Sequence, residues 1–323
     1  MIRIMEACGT HTQTISRYGL RSILDVEFVS GPGCPVCVCD IRDIDSAIEL
    51  AKNKDIILTT FGDMYRVPGS RYSLSNYKNV RIVYDVYESL NIAKKTNKEV
   101  VHFSIGFETT IPSISYVIKN CTLKNFSIIP ANLLFLKGFE YLLPKIDVDG
   151  FICPGHVSAI TGSKPYEKLV RLVNKPMVIC GFEPEDIIKG ADTIKKQIKN
   201  GISKVETEYN DAVDREGNKI AQNLINEIFE PCDKIWRGIG KIKNSGLKLK
   251  KKFEKYDAIK KFDVSTENVK ENKNCICGKI MSGKAKPKNC KLFKKICNPI
   301  HPIGPCMVSS EGACNIAFKY GEN

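Results

Sequence analysis

The chain reads as an α/β protein, with two parallel-sheet α/β domains followed by a small cysteine-rich domain. Three observations predict this. Short β-branched runs alternate with helical stretches through the first two thirds of the chain, the pattern of βαβ units feeding a parallel sheet. The alternation restarts after about residue 119, as a second unit would. Six cysteines then fall between Cys275 and Cys314, in a stretch rich in Gly and Pro with few apolar runs. Such a segment can hardly bury a core alone, and a metal centre would supply the missing cross-links.

In the first unit, 26–29, 55–60 (DIILTT), 79–84 (NVRIVY) and 99–105 (EVVHFSI) read as buried strands, with helices over 41–52 and 87–96. In the second, 126–129, 150–153 and 176–180 read as strands, with helices over 113–119, 133–143 and 185–199. A further helix is expected at 220–229. The lysine-rich run 248–261 also carries Glu254, Asp257, Leu249, Phe253 and Ile259, so it reads as one solvated helical face. The division this suggests is 1–118, 119–240 and 241–323.

Composition narrows the function classes. Hydrophobic residues make up 43% and charged residues 26%, ordinary values for a globular protein. No run of about 18 apolar residues exists, so no membrane span is expected. Residues 1–6 lack the apolar core of a secretory signal, and a cytoplasmic location is expected. In that compartment clustered cysteines bind metals or do redox chemistry more often than they form structural disulfides. The formal charge is +13, from 49 Lys and Arg against 36 Asp and Glu. The excess is mostly lysine with no arginine stripe, so nucleic acid is not expected, and an acidic partner is the alternative to simple solvation.

Several loops directly follow strands: Gly31-Pro32-Gly33-Cys34, Phe61-Gly62-Asp63, Gly106-Phe107-Glu108-Thr109-Thr110 and Pro154-Gly155-His156. Ligands of parallel α/β sheets bind beyond the carboxyl ends of the strands. None of these loops carries a dinucleotide or P-loop fingerprint.

The thiols hold most of the chemistry. Cys275, Cys290, Cys297 and Cys314 are spaced C-x14-C-x6-C-x16-C, and the prolines and glycines between them allow four thiolates to converge. An iron–sulfur cluster fits this best. Four-cysteine zinc remains open, although its usual C-x2-C knuckles are missing, as do packed or paired thiols. Cys277 and Cys306 exceed a four-ligand set and read as packing or as a dithiol beside the cluster. Cys34-Pro35-Val36-Cys37 is a redox C-x-x-C, with a zinc half-site as the alternative; the helix expected after it would lower a thiol pKa, and Cys39 reads as incidental. Cys8 stands in Cys8-Gly9-Thr10-His11, where a soft thiolate, close backbone approach and a proton-handling ring meet. His156 is the other strand-end histidine. His102 lies within a strand and reads as core, and His301 has no evident role. Glu108 reads either as a buried acid near the site or as bystander to helix capping by Thr109 or Thr110.

Six segments, MEACGTHT (5–12), GPGCPVC (31–37), GFETT (106–110), PGHVSAI (154–160), GFEP (181–184) and CMVSSEGAC (306–314), resemble in sequence and order the hydrogenase maturation protein HypD family. The resemblance implies two α/β domains and a small [4Fe-4S] domain. It implies a scaffold that, with the HypC chaperone, assembles the Fe(CN)2CO group of [NiFe]-hydrogenase before transfer to the large subunit, with cyanide from HypE and HypF upstream. By resemblance Cys8 holds the iron, accompanied by His11. Cys34 and Cys37 form one redox pair and Cys277 and Cys306 a second, and Cys275, Cys290, Cys297 and Cys314 hold the cluster. His156 and Glu108 complete the site expected from the residues. The chain departs from the family in two places: it begins almost at the CGTH motif, where a further long helix is usual, and Ser30 replaces a histidine common before GPGC. A cluster-dependent thiol/disulfide reductase and a zinc-stabilised basic binding protein remain the alternatives.

Overall fold

The computed structural model describes residues 1–266 and 269–321. Among them are eleven strands: β1 (Ile2–Glu6), β2 (Val26–Ser30), β3 (Ile56–Thr60), β4 (Val80–Ile82), β5 (Glu99–Gly106), β6 (Phe126–Asn132), β7 (Gly150–Pro154), β8 (Met177–Cys180), β9 (Val205–Thr207), β10 (Phe229–Trp236) and β11 (Gly240–Leu249).

Two sheets are wholly parallel, as the alternation predicts. One is ordered β2-β1-β7-β8-β9 and the other β4-β3-β5-β6. Their central strands are buried along nearly their whole length, which is why β5 and β7 read as continuous apolar runs rather than alternating ones. Several helix starts are visible in the sequence: Asp40, Asp85 and Asn218 each cap a helix by accepting an N–H two or three residues on.

The sheets interleave along the chain. β1 and β2 join β7–β9, and β6 joins β3–β5. The chain therefore crosses between sheets twice, through the helices Ile41–Ala51 and Phe135–Leu142. The division expected at 118/119 runs between β5 and β6, which are neighbours in one sheet. That expectation placed the bound where the alternation restarts, whereas β6 adds its apolar edge to β5, the strand before it.

A further difference lies at 248–261. Where one lysine-bearing helical face was expected, the chain ends an antiparallel hairpin (β10 with β11), then makes a 3-10 turn (Lys251–Tyr256) and one short helix (Ala258–Lys261). Gly238 and Gly240, both at positive φ, turn the hairpin, and cross-strand Lys248–Glu230 and Lys241–Asp233 pairs flank it. Trp236, the single tryptophan, is fully buried against the helix Phe135–Leu142 and bonds Ser245 Oγ at 3.0 Å. At the second bound expected, 240/241, lies the first residue of β11, so the hairpin belongs with what precedes it.

Candidate functional site

Both sheets reverse strand order once. In the first, the reversal lies between β1 and β7, and in the second between β3 and β5. Ligands of open α/β sheets bind at such switch points. Here the loops from both switch points face one cleft of about 230 Å³. β1 leads into Ala7, Cys8 and Thr10, and β7 into Pro154 and His156. β3 leads to Phe61 and Asp63, and β5 to Gly106, Phe107, Thr109 and Thr110. Gly33, Pro35 and Val36 of the redox loop complete the wall with Glu311.

Cys8 caps the helix Gly9–Arg17 in extended conformation and is nearly buried. Burial, with the nearby Glu311 charge adding to it, pushes its thiol up to about 11; the Thr10 and His11 amides and the Thr10 hydroxyl pull the other way. Two motif glycines are explained by close approach. A Cβ on Gly33 would collide with the backbone of Ala7 and Cys8, and one on Gly9 would lie 2.5 Å from Glu311 Cβ. Thr10 Oγ1 donates to Glu311 Oε1 at 3.0 Å, and Ser309 Oγ donates to Asp63 Oδ2 at 2.8 Å. The segment 309–311 thus clamps the cysteine-rich region onto loops from both sheets.

Cys34 and Cys37 are disulfide-bonded and buried. Cys34 is itself the N-cap of the short helix Pro35–Val38, and Cys37 N–H points to its sulfur at 3.2 Å. The helix expected to serve this motif, starting at Ile41, is capped by Asp40 instead. The helix Pro35–Val38 packs against the turn Pro305–Met307, which carries Cys306. Cys39 is buried with no disulfide partner.

Cys275, Cys290, Cys297 and Cys314 line one small pocket of about 10 Å³, together with Cys277. Cys275 and Cys277 sulfurs are 3.3 Å apart. Cys314 shares hydrogen bonds with Cys277 and Cys306, which lower its thiol to about 6, while the same bonding to Cys277 and Cys314, with burial, pushes the fully buried Cys306 up. Ile303 N–H donates to Cys297 Sγ at 3.3 Å. Gly304 faces the sulfurs: a Cβ there would lie 2.7 Å from both Cys275 and Cys277 Sγ. Among the described residues no three His, Cys, Asp or Glu side chains stand as ligands of a single ion.

Two further expected residues, His11 and Glu108, lie elsewhere than on the cleft. His11 is fully buried, its Nε2–H donating to Gly181 O at 2.8 Å and its ring stacked on Phe182. Desolvation drives its pKa down to about 4. One helical turn separates it from Cys8, and the helix turns it toward the GFEP loop. Phe182 also contacts the His156 ring at 4.0 Å, so the two histidines flank one phenyl ring. Glu108 is buried and accepts Phe135 N–H at 3.1 Å, at the start of the helix Phe135–Leu142; burial raises its carboxyl to about 7. It is thus a buried acid that satisfies the start of a different helix, while Thr110 holds the N-cap position of the helix Ile111–Asn120 without a side-chain capping bond. His102 is core, as expected, with Ser89 Oγ 3.0 Å from its Nδ1. Asp63 and Glu311 were not singled out from the sequence. Both lie in segments that were, the loop after β3 and the SSEGAC stretch.

Comparison with known proteins agrees with these motifs. The HypD family model, described as the hydrogenase formation hypA family, matches residues 1–321. A hydrogenase expression/formation protein of Methanocaldococcus jannaschii is 45% identical over 99% of this chain and 92% of its own. Hydrogenase maturation factor HypD2 of Bradyrhizobium diazoefficiens is 43% identical over 99% and 89%, and HypD of Cupriavidus necator 41% over 98% and 89%. No helix among the described residues is long and apolar enough to cross a membrane.

Proposed function

The chain belongs to the HypD family and so to hydrogenase maturation, and from that premise we propose that it is the scaffold on which the Fe(CN)2CO group of [NiFe]-hydrogenase is assembled. The observation that carries this is the cleft where the Cys8, redox and PGH loops converge at both switch points. The iron group is cargo. Cys8, with a cysteine of the HypC chaperone, would hold it, since a soft thiolate suits iron bearing π-acceptor ligands. Cys8 is a protonated thiol on its own, so iron takes the place of a proton. His156, exposed on the same cleft, can donate to a cyanide nitrogen delivered from HypE, with HypF upstream. His11 is assigned a positioning role through Gly181 and Phe182 rather than contact with cargo.

The donor set at 275–314 is sulfur alone, and Gly304 keeps the space beside it free of a side chain. These residues suit a resident [4Fe-4S] cluster on Cys275, Cys290, Cys297 and Cys314, which would spread apart to take it. Each thiolate of such a cluster binds a different iron, so convergence on one point is not required. When bound, the cluster supplies one-electron redox chemistry. The chain's own thiols can do the rest. Reduced Cys277 and Cys306 can exchange with the Cys34–Cys37 disulfide through their packed segments, two thiols becoming a disulfide as a disulfide becomes two thiols.

The test is an infrared spectrum of the protein co-expressed with HypC, HypE and HypF and purified without oxygen. Cyanide and carbonyl bands should be present and should vanish in Cys8→Ala, which keeps its brown colour and fold. A brown protein in a verified HypC complex with no such bands would favour the thiol reductase instead. A colourless protein with bound zinc would favour the binding protein.

A further inference from the structure

We propose that the loop joining Cys290 to Cys297 is the docking surface for an acidic one-electron carrier protein; this rests on the cluster reading above. Seven lysines and no acidic residue fall between 279 and 295, and all seven are exposed. Lys286 pairs with Glu27, but Lys279, Lys284, Lys291, Lys294 and Lys295 make no ion pair among the described residues. Some exposed lysines elsewhere are matched, as in Lys164–Glu216, Lys168–Glu140 and Lys248–Glu230. Those five lysines have no carboxylate partner among the described residues, and three of them, Lys291, Lys294 and Lys295, lie between two of the four proposed cluster thiols, Cys290 and Cys297.

The surface has an apolar centre as well as a basic rim. Ile296 is 58% exposed and Phe318 is 37% exposed, and Phe318 meets Phe293 ring to ring. Lys294 Nζ lies 5.6 Å and 5.9 Å from these two rings. Lys294 also holds a left-handed φ of 59°, where Gly or Asn would be less strained, so the loop keeps a cation at some conformational cost. Cys290 is itself partly exposed beside this patch. A small apolar contact ringed by one sign of charge suits a transient partner that arrives fast and leaves. An electron carrier matches that need, because the chain has no nucleotide fingerprint with which to draw electrons from a small cofactor. Each encounter would deliver one electron, the carrier leaving oxidised by one.

The probe is an oxidised plant-type [2Fe–2S] ferredoxin, titrated calorimetrically into the anaerobically purified full chain at low and physiological salt. Binding should weaken with salt. Lys291→Glu with Lys295→Glu should raise Kd by about tenfold or more and flatten the salt dependence. Lys196→Glu with Lys199→Glu, on the distant helix Pro184–Lys199, should leave Kd unchanged. Iron content, absorbance and melting temperature should match wild type in both. A Kd changed by less than about twofold in the first pair, or a duplex DNA binding as tightly through the same lysines, overturns the proposal. The two readings separate cleanly. An iron-bearing protein indifferent to the reversals sinks the docking surface alone. An iron-free protein that still binds through Lys291 and Lys295 sinks the cluster and keeps the surface.

Discussion

Gly33→Ala tests whether the GPGC loop must touch the CGTH loop. Gly33 has an ordinary φ, so its glycine is required for space and not for conformation. An added Cβ would lie 2.5 Å from Cys8 N, and nearer still to Cys8 Cα and Ala7 O. All three are backbone atoms, so no side chain can swing aside. Reaching an ordinary contact demands a separation of about 1 Å between the two loops. Overpacking of this kind costs about 1–3 kcal/mol, partly offset by up to about 1 kcal/mol from the stiffer unfolded chain. The expected net loss is about 1–2 kcal/mol in urea denaturation. Gly62→Ala is the control, since its Cβ would meet only Ile82 at 3.7 Å, and it should be neutral or slightly stabilising. The same displacement moves Cys8 off its position in the cleft, so the cyanide and carbonyl bands should fall in Gly33→Ala and persist in Gly62→Ala. Wild-type stability with undiminished bands in Gly33→Ala would refute the claim that close loop contact positions Cys8.

Two buried groups give opposite pH dependences. Glu108 has its folded pKa raised from 4.5 to about 7, so the folded state binds more protons between those values and stability falls as pH rises through them, by about 3 kcal/mol at most. Glu108→Gln should abolish that decline in denaturation curves taken from pH 4 to 8. His102 is depressed from 6.5 to about 4, so the unfolded state binds more protons there and stability is lost as pH falls below 6.5, again by about 3 kcal/mol at most. His102→Gln should flatten the acid limb. Lys234 forms a 2.9 Å pair with Asp43, the two side chains 17% and 18% exposed. Asp43→Ala should strand the ammonium and cost about 3 kcal/mol, and Lys234→Met in the same chain should recover most of it. An additive double mutant would refute the coupling.

Much of the site was legible in local sequence because local chemistry dictates it. Strand-end loops announce themselves where an apolar run stops at Gly and Pro, and four of them do line the cleft or hold its wall. The cysteine spacing predicted convergence, and the four thiols share one pocket. Glu108 and His11 read less well. A side chain's direction depends on which turn of which helix faces which neighbour, and neither residue carries that information itself. Glu311 was hidden because its role arises only when residue 9, some 300 positions away, offers a backbone with no Cβ to rest on.

What the sequence by itself determined is therefore the inventory: parallel α/β units, a cysteine set suited to a metal centre, and the motifs of the HypD family. These rest on periodicities and spacings that the chain carries whatever its partners in space. Only the tertiary structure decided that β1 pairs with β7 while β6 stays with β5, because strand pairing is a contest among apolar edges and does not follow from where the alternation restarts. From that pairing follow the two switch points and the single cleft they share. The same long-range packing sets the Cys306 turn against the Cys34–Cys37 helix, which brings thiol-bearing segments from distant parts of the sequence together.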